Sequence, residues 1–125
     1  MLRGYPDQMR AIRVLPNLHV DDLESAKDFY AGFLGLSTEE MNLGWVARLS
    51  APDSEAKVQL VTGDATSPED SQISVMTPDV DDAYADALRR GYEIIHPLTT
   101  EEWGVHRFLV RAPDGTIVNV VGHSD

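Results

Sequence analysis

The order of apolar periods in this chain runs through twice, and that internal repeat constrains the fold more than any single motif. VDDLESAKDFYAGFLG, beginning at Val20, lies over TPDVDDAYADALRRG, beginning at Thr77, at an offset of about 57, and KVQLV lies over IVNVV at an offset of about 60. Identity between the two copies is slight. What repeats is the succession of strand periods, helix caps and glycine stops. A chain of 125 residues that carries one supersecondary unit twice is expected to fold as one domain built from two packed copies.

In the first copy, Ile12, Val14, Leu18 and Val20 alternate with Arg13, Leu15, Asn17 and His19, the period of a strand with two different faces. Asp22 is placed to cap a helix whose apolar positions Ala26, Phe29, Tyr30, Phe33 and Leu34 follow helical spacing and face the sheet, with Gly35 as its stop. Strands are predicted around Ser37 to Met41, Gly44 to Ser50 and Lys57 to Thr62. The polar stretch Gly63 to Ser71 reads as a linker. The second copy begins with a strand holding Ile73 and Val75. Asp79 then caps a helix with Val80, Ala83, Tyr84, Ala87 and Leu88 on one face, stopped by Gly91. Strands near Tyr92 to Ile95, Val105 to Arg111 and Thr116 to Val121 follow, the last two joined by the turn Pro113-Asp114-Gly115. The fold class is therefore α+β, two βαβββ modules over about 10–62 and 72–122 within one domain.

Composition excludes several functions. The balance of 10 Lys+Arg against 21 Asp+Glu gives a net charge of -11, which repels phosphate backbones and anionic lipid, so nucleic acid and membranes are not expected partners. The same acidity serves solubility, or attracts a cationic ligand. No apolar run approaches the roughly 20 residues of a membrane helix, and MLRGYPDQMR lacks the apolar stretch of a secretory signal, so a cytoplasmic protein is expected. With no cysteine, thiolate catalysis and thiolate metal sites are excluded. The nine glycines sit at turns and helix ends rather than in a phosphate-cradling loop, so no nucleotide cofactor is implied.

The run NLHVDDLESAKDFYAGFLGL resembles the strand-helix signature of the glyoxalase/bleomycin-resistance/extradiol-dioxygenase (vicinal oxygen chelate) superfamily, and EEWGVHRFLVRAPDGTIVNVV resembles the close of its second module. The resemblance implies a curved, open mixed sheet with helices on its convex face and a ligand cavity on its concave face. By alternation, the cavity set would then be Arg13, Leu15, Asn17 and His19; Gln59 and Val61; Gln72, Ser74 and Met76; and Ile117, Asn119 and Val121.

In metal-using relatives the ligands are His, Glu or Gln, and the matching positions here hold Leu15, Gln72, Asn119 and Gln59. Neutral amides bind divalent transition metals weakly and leucine not at all, so no metal or other cofactor is expected. His19 shares a face with the lost site and reads as a polar cavity residue or a strand-end histidine, whereas His96 and His123 read as surface residues. Trp103-Gly104-Val105-His106 stands where relatives read W-G-x-R, and Trp45 leads the third strand. Two tryptophans near an open cavity suit a planar or cationic ligand, or are core or interface aromatics.

The reading that follows is a metal-free binding protein of the bleomycin-resistance type. It sequesters a cationic or aromatic compound, an antibiotic by resemblance, in a groove lined by Trp45, Gln59, Gln72, Trp103, His106, Asn119 and His19. Resemblance also implies a homodimer with its grooves across the interface. The alternative is a glyoxalase-like lyase, isomerase or dioxygenase with a non-standard metal site or none; no acid-base partner arrangement is recognisable in the sequence.

Overall fold

Two β-rich halves meet along their first strands. The computed structural model describes residues 8–123, so the segment MLRGYPD, read above as lacking a secretory signal, and the last two residues lie outside it. The first half runs β1 (Arg13–His19), α1 (Leu23–Lys27), a π-helical extension (Asp28–Phe33), β2 (Thr38–Asn42), β3 (Val46–Ser50) and β4 (Lys57–Val61). The second runs β5 (Ile73–Met76), α2 (Val80–Arg89), β6 (Glu93–Thr100), β7 (Val105–Arg111) and β8 (Ile117–His123). All strands join one open, curved sheet of eight in the order β2-β3-β4-β1-β5-β8-β7-β6. In each half the first strand lies parallel to the last, β1 to β4 and β5 to β8, while β1 and β5 pair antiparallel at the seam. A parallel pair cannot be closed by a hairpin, so each unit carries a helix-containing excursion between those strands. No described helix is long and apolar enough to cross a membrane.

Each half has its own core under its helix. Leu23 of α1 packs with the buried Ala47, Leu49 and Leu60, and Val80 and Ala87 of α2 with Phe108 and Val120. Gly35 and Gly91 adopt positive φ, 84° and 73°, where a left-handed residue ends a helix. The caps differ. Asp22 accepts the Ser25 N–H at 2.9 Å and its hydroxyl at 2.7 Å. Asp79 stands at the corresponding position but caps nothing with its side chain, which binds the Arg10 backbone N–H and guanidinium instead.

The first helix departs from its predicted face. The spacing Ala26, Phe29, Tyr30, Phe33, Leu34 assumes α-helical pitch, yet the chain widens into π-helix from Asp28. Within the wider turn Tyr30 and Ala31 pack on the core, as do Ala26 before it and Leu36 after it, and the other apolar residues swing outward. Phe29, Phe33 and Leu34 are accordingly exposed, Phe33 by 75%.

The polar stretch after β4 is more than a spacer. Asp64 receives two hydrogen bonds from Arg107, at 2.7 and 2.9 Å, and Glu101 accepts a third from Arg107 Nε at 2.7 Å. These side chains are no more than 5% exposed. Thr66 joins the cluster by donating to Glu101 at 2.7 Å, and His96 Nε2 lies 3.0 Å from the same carboxylate. His96 is thus buried inside β6, which runs on past the predicted end near Ile95, and is not the surface loop residue its sequence context suggested. β6 is an edge strand, where Pro97 is tolerated because its missing N–H costs no inner ladder bond.

Burial pushes the Asp64 carboxyl up, but Arg107 and the Ser67 and Thr66 N–H groups outweigh it and hold the pKa below the ordinary value; Glu101 is likewise depressed against its burial by Thr66 and Arg107. A depressed carboxylate contributes stability that is present above its unfolded pKa, near 4, and lost as pH falls through the folded value. Urea unfolding should therefore show stability declining below about pH 5, with the decline flattened in Asp64→Asn. Arg107→Ala strands two buried carboxylates and should cost roughly 3–5 kcal/mol at neutral pH by the same measurement. At Gly122 an added Cβ would lie 2.6 Å from the Thr77 carbonyl oxygen and 3.0 Å from Val80 Cγ2. Gly122→Ala should accordingly cost roughly 1–3 kcal/mol, visible as a lowered thermal midpoint.

Candidate functional site

Alternation along six strands turns one row of side chains from each toward the concave face, where they enclose a cavity of about 670 Å³. Its wall is built from Arg13 and Asn17 of β1, Val46 and Arg48 of β3, Gln59 and Val61 of β4, Ser74 and Met76 of β5, Val105 and Arg107 of β7, and Asn119 and Val121 of β8. Trp45 enters just before β3 and Trp103 from the turn before β7. Both halves therefore contribute.

The tryptophans meet edge to face, ring centroids 5.2 Å apart and planes at 70°. Behind them the Arg107 guanidinium carbon lies 5.2 Å from the centre of the Trp103 ring. Because Arg107 is pinned by Asp64 and Glu101, it gives Trp103 a rigid cationic backing.

The floor is a chain of amides whose polarity starts at Arg48. A guanidinium only donates, so Arg48 Nε bonding Gln59 at 3.0 Å requires the amide oxygen there and turns Gln59 Nε2 inward. That nitrogen donates to Asn17 Oδ1 at 2.7 Å, which in turn aims Asn17 Nδ2 at Ser71 and Ser74, 2.8 and 3.0 Å away. Asn119 Nδ2 reaches the Ser74 hydroxyl from the other side at 3.1 Å. The Asn119 Oδ1 atom is the one buried side-chain oxygen or nitrogen without a partner among the described residues. Burial lowers the Arg48 pKa below its ordinary value; Glu40 opposes this and Arg13 adds to it, and the group stays charged at neutral pH.

Of the residues expected in the groove, Trp45, Gln59, Trp103 and Asn119 line it together. Three others lie elsewhere. Gln72 folds back along the sheet, its Oε1 accepting the Ile117 N–H at 2.6 Å. His19 is exposed at the strand end, Nδ1 3.2 Å from Asp70. His106 has the opposite parity to Val105 and Arg107, so it faces α2, with Nε2 2.7 Å from Asp81 and Nδ1 2.9 Å from Thr100. Leu15 and Ile117, also expected to face the cavity, are buried and do not line it. Arg48 and Arg107 were absent from the expected groove. The alternation within Val105–Arg111 already places Arg107, not His106, beside Val105, and Arg48 shares a face with Val46.

Of the four positions that the family resemblance implies for a metal, Asn119 alone keeps an unpartnered oxygen. Leu15 offers no donor atom, and the Gln72 oxygen is taken by a backbone N–H. The Gln59 oxygen faces a guanidinium, which would repel a bound cation. Among the described residues no three His, Asp or Glu side chains cluster as a metal site.

The sequence matches the model of the Glyoxalase/Bleomycin resistance protein/Dioxygenase superfamily over residues 13–120. A glyoxalase/bleomycin resistance protein/dioxygenase superfamily member from Vibrio splendidus 12B01 is similar in structure, with TM-score 0.67 and 19% identity over 88% of this chain and 97% of that one. The NAD-dependent benzaldehyde dehydrogenase structure from Legionella pneumophila superposes with TM-score 0.71 at 17% identity over 90% of this chain and all of that one. The Mn(II)-bound glyoxalase from Novosphingobium aromaticivorans gives TM-score 0.65 at 22% identity over 92% of this chain and 40% of that one. At these identities the likeness concerns the fold. No curated protein matches the sequence significantly.

The floor yields a direct expectation. Ser74→Ala removes little volume but strands amide donors of Asn17 and Asn119 in a buried place, and should cost roughly 1–3 kcal/mol in urea unfolding, more than its lost contacts warrant.

Proposed function

This chain belongs to the glyoxalase/bleomycin resistance protein/dioxygenase superfamily, and we propose that within it the protein is a small-molecule binding protein that sequesters an aromatic compound without a metal ion. The observation that carries this reading is the Trp45–Trp103 pair, converging from the two halves on a cavity of about 670 Å³. That volume is within the range that encloses a drug-sized ligand, and fixed aromatic rings offer stacking surface at little entropic cost.

Sequestration is favoured over turnover by the state of the polar groups. Asp64, the one Asp or Glu among the lining residues, is committed to Arg107. The Gln59 and Asn17 amides are committed to one another and to Ser71, Ser74 and Arg48. A general base needs a free basic group within reach of substrate; among the lining residues that leaves His123 at the exposed rim, because the one unpartnered buried atom, Asn119 Oδ1, is an amide oxygen of negligible basicity. Between the two ligand classes, the aromatic one has the stronger support. A cation would meet Arg13, Arg48 and Arg107 with a single, already paired, carboxylate to offset them.

The proposal takes the protein as a cytoplasmic homodimer. Exposed Phe29, Phe33 and Leu34 on the first helix, and Leu43 and Ile12 at the cavity rim, supply apolar surface for a second copy to cover. Light scattering should return twice the protomer mass; a monomer at all concentrations removes the dimer while leaving the cavity reading intact.

The chain has two tryptophans and both stand in the site, so intrinsic fluorescence reports on it directly. A bound aromatic compound should shift the emission saturably with no metal present. At a hundred times its Kd it should stabilise the fold by about 2.7 kcal/mol in a thermal melt. Trp103→Ala should weaken that binding by about 1–2 kcal/mol. Binding that appears only on adding a divalent metal would overturn the reading.

A further inference from the structure

The described arginines fall into two groups. Arg10, Arg89, Arg90, Arg107 and Arg111 each have a carboxylate oxygen within 3.2 Å. Arg13 and Arg48 have none closer than 3.9 Å, and these are the two that line the cavity besides Arg107. Their carboxylates are poor partners. Glu40, opposite Arg48, already forms a close pair with Lys57 and accepts its hydrogen bond. Glu55, opposite Arg13, has a side chain 91% exposed, so solvent screens the pair.

In a chain of net charge -11, with carboxylates twice as numerous as cations, two guanidinium groups left without a close carboxylate inside a cavity are not explained by the fold's own pairing. Arg48 is also pre-aimed: its Nε is spent on Gln59 and its side chain is only 23% exposed. Among the described residues its terminal N–H groups make no hydrogen bond, and the carboxylate nearest to them, Glu40, lies 3.9 Å from Nη1. A guanidinium presents parallel donors that match the two oxygens of a carboxylate.

We propose that the cavity's ligand is an aromatic acid, its ring against Trp45 and Trp103 and its carboxylate held by the Arg48 guanidinium, with Arg13 adding a second positive charge. This rests on the aromatic-binding reading above and specifies the polar end of the same ligand. The acidity of the whole protein does not oppose it, because a ligand in the cavity feels nearby guanidinium groups more strongly than surface carboxylates screened beyond about 10 Å.

The test uses the full chain and three probes of one ring system: 2-naphthoate, the neutral 2-naphthamide and the cationic 2-naphthylmethylammonium, each titrated by calorimetry. The acid should bind roughly tenfold or more tightly than either of the others, the ratio expected for a charge-assisted bond. Arg48→Met should remove most of that preference, read as the ratio of acid to amide affinity within the variant. Arg13→Gln leaves the floor hydrogen bonds untouched and should reduce the preference in part, which keeps the test decisive should Arg48→Met fail to fold. Equal binding of the acid and the amide, an unchanged preference in Arg48→Met and Arg13→Gln, or preference for the ammonium probe would overturn the proposal while the aromatic reading stands. If no probe binds, the aromatic reading itself falls, and this inference with it.

Discussion

Arg107 is the group on which the site depends. It is a charge inside the protein, and a buried charge is tolerated only when its donors are matched by oxygens of opposite charge. Asp64 comes from the stretch joining the halves and Glu101 from the turn after β6, so satisfying one guanidinium ties the connection between modules to the second module's wall. The same side chain backs Trp103. A single electrostatic requirement therefore closes the fold and fixes one face of the cavity.

The floor depends on a second asymmetry of charge. Arg48 can only donate, and that fact propagates through Gln59 and Asn17 to Ser71 and Ser74. This arrangement spends the amide N–H groups of Gln59, Asn17 and Asn119 within the floor itself and leaves a guanidinium beside the oxygen of Gln59.

Much of the architecture was legible because it rests on local rules. The repeat, the strand alternation and the glycine stops at Gly35 and Gly91 are properties of a few consecutive residues, and they place the start of every strand to within a few positions, although β6 runs on to Thr100. The departures have separate causes. Phe29, Phe33 and Leu34 were assigned to the core on α-helical pitch, and a π-helical turn, which no residue type announces, rotates them to solvent. His106 was drawn into the site by its place in a motif, although strand parity put Arg107 there. His96 looked like a loop residue before a proline, and only its distance to Glu101 reveals a buried polar cluster.

What the sequence by itself determined is the fold class and the succession of elements, since periodicity is written residue by residue; it did not settle the faces of β1, where Val14 is exposed, as is Ile12 just before the strand, and Leu15, expected in the cavity, is buried. It also supplied Trp45, Gln59, Trp103 and Asn119 as cavity residues. What only the tertiary structure decided is which charges find partners. Arg13, Arg48 and Arg107 are the same residue type, yet Arg107 is neutralised by carboxylates 43 and 6 residues away in the chain, while the other two have no carboxylate oxygen closer than 3.9 Å. Pairing of that kind depends on distances between strands distant in sequence, and Coulomb energy in a partly dry interior changes steeply over those few ångströms.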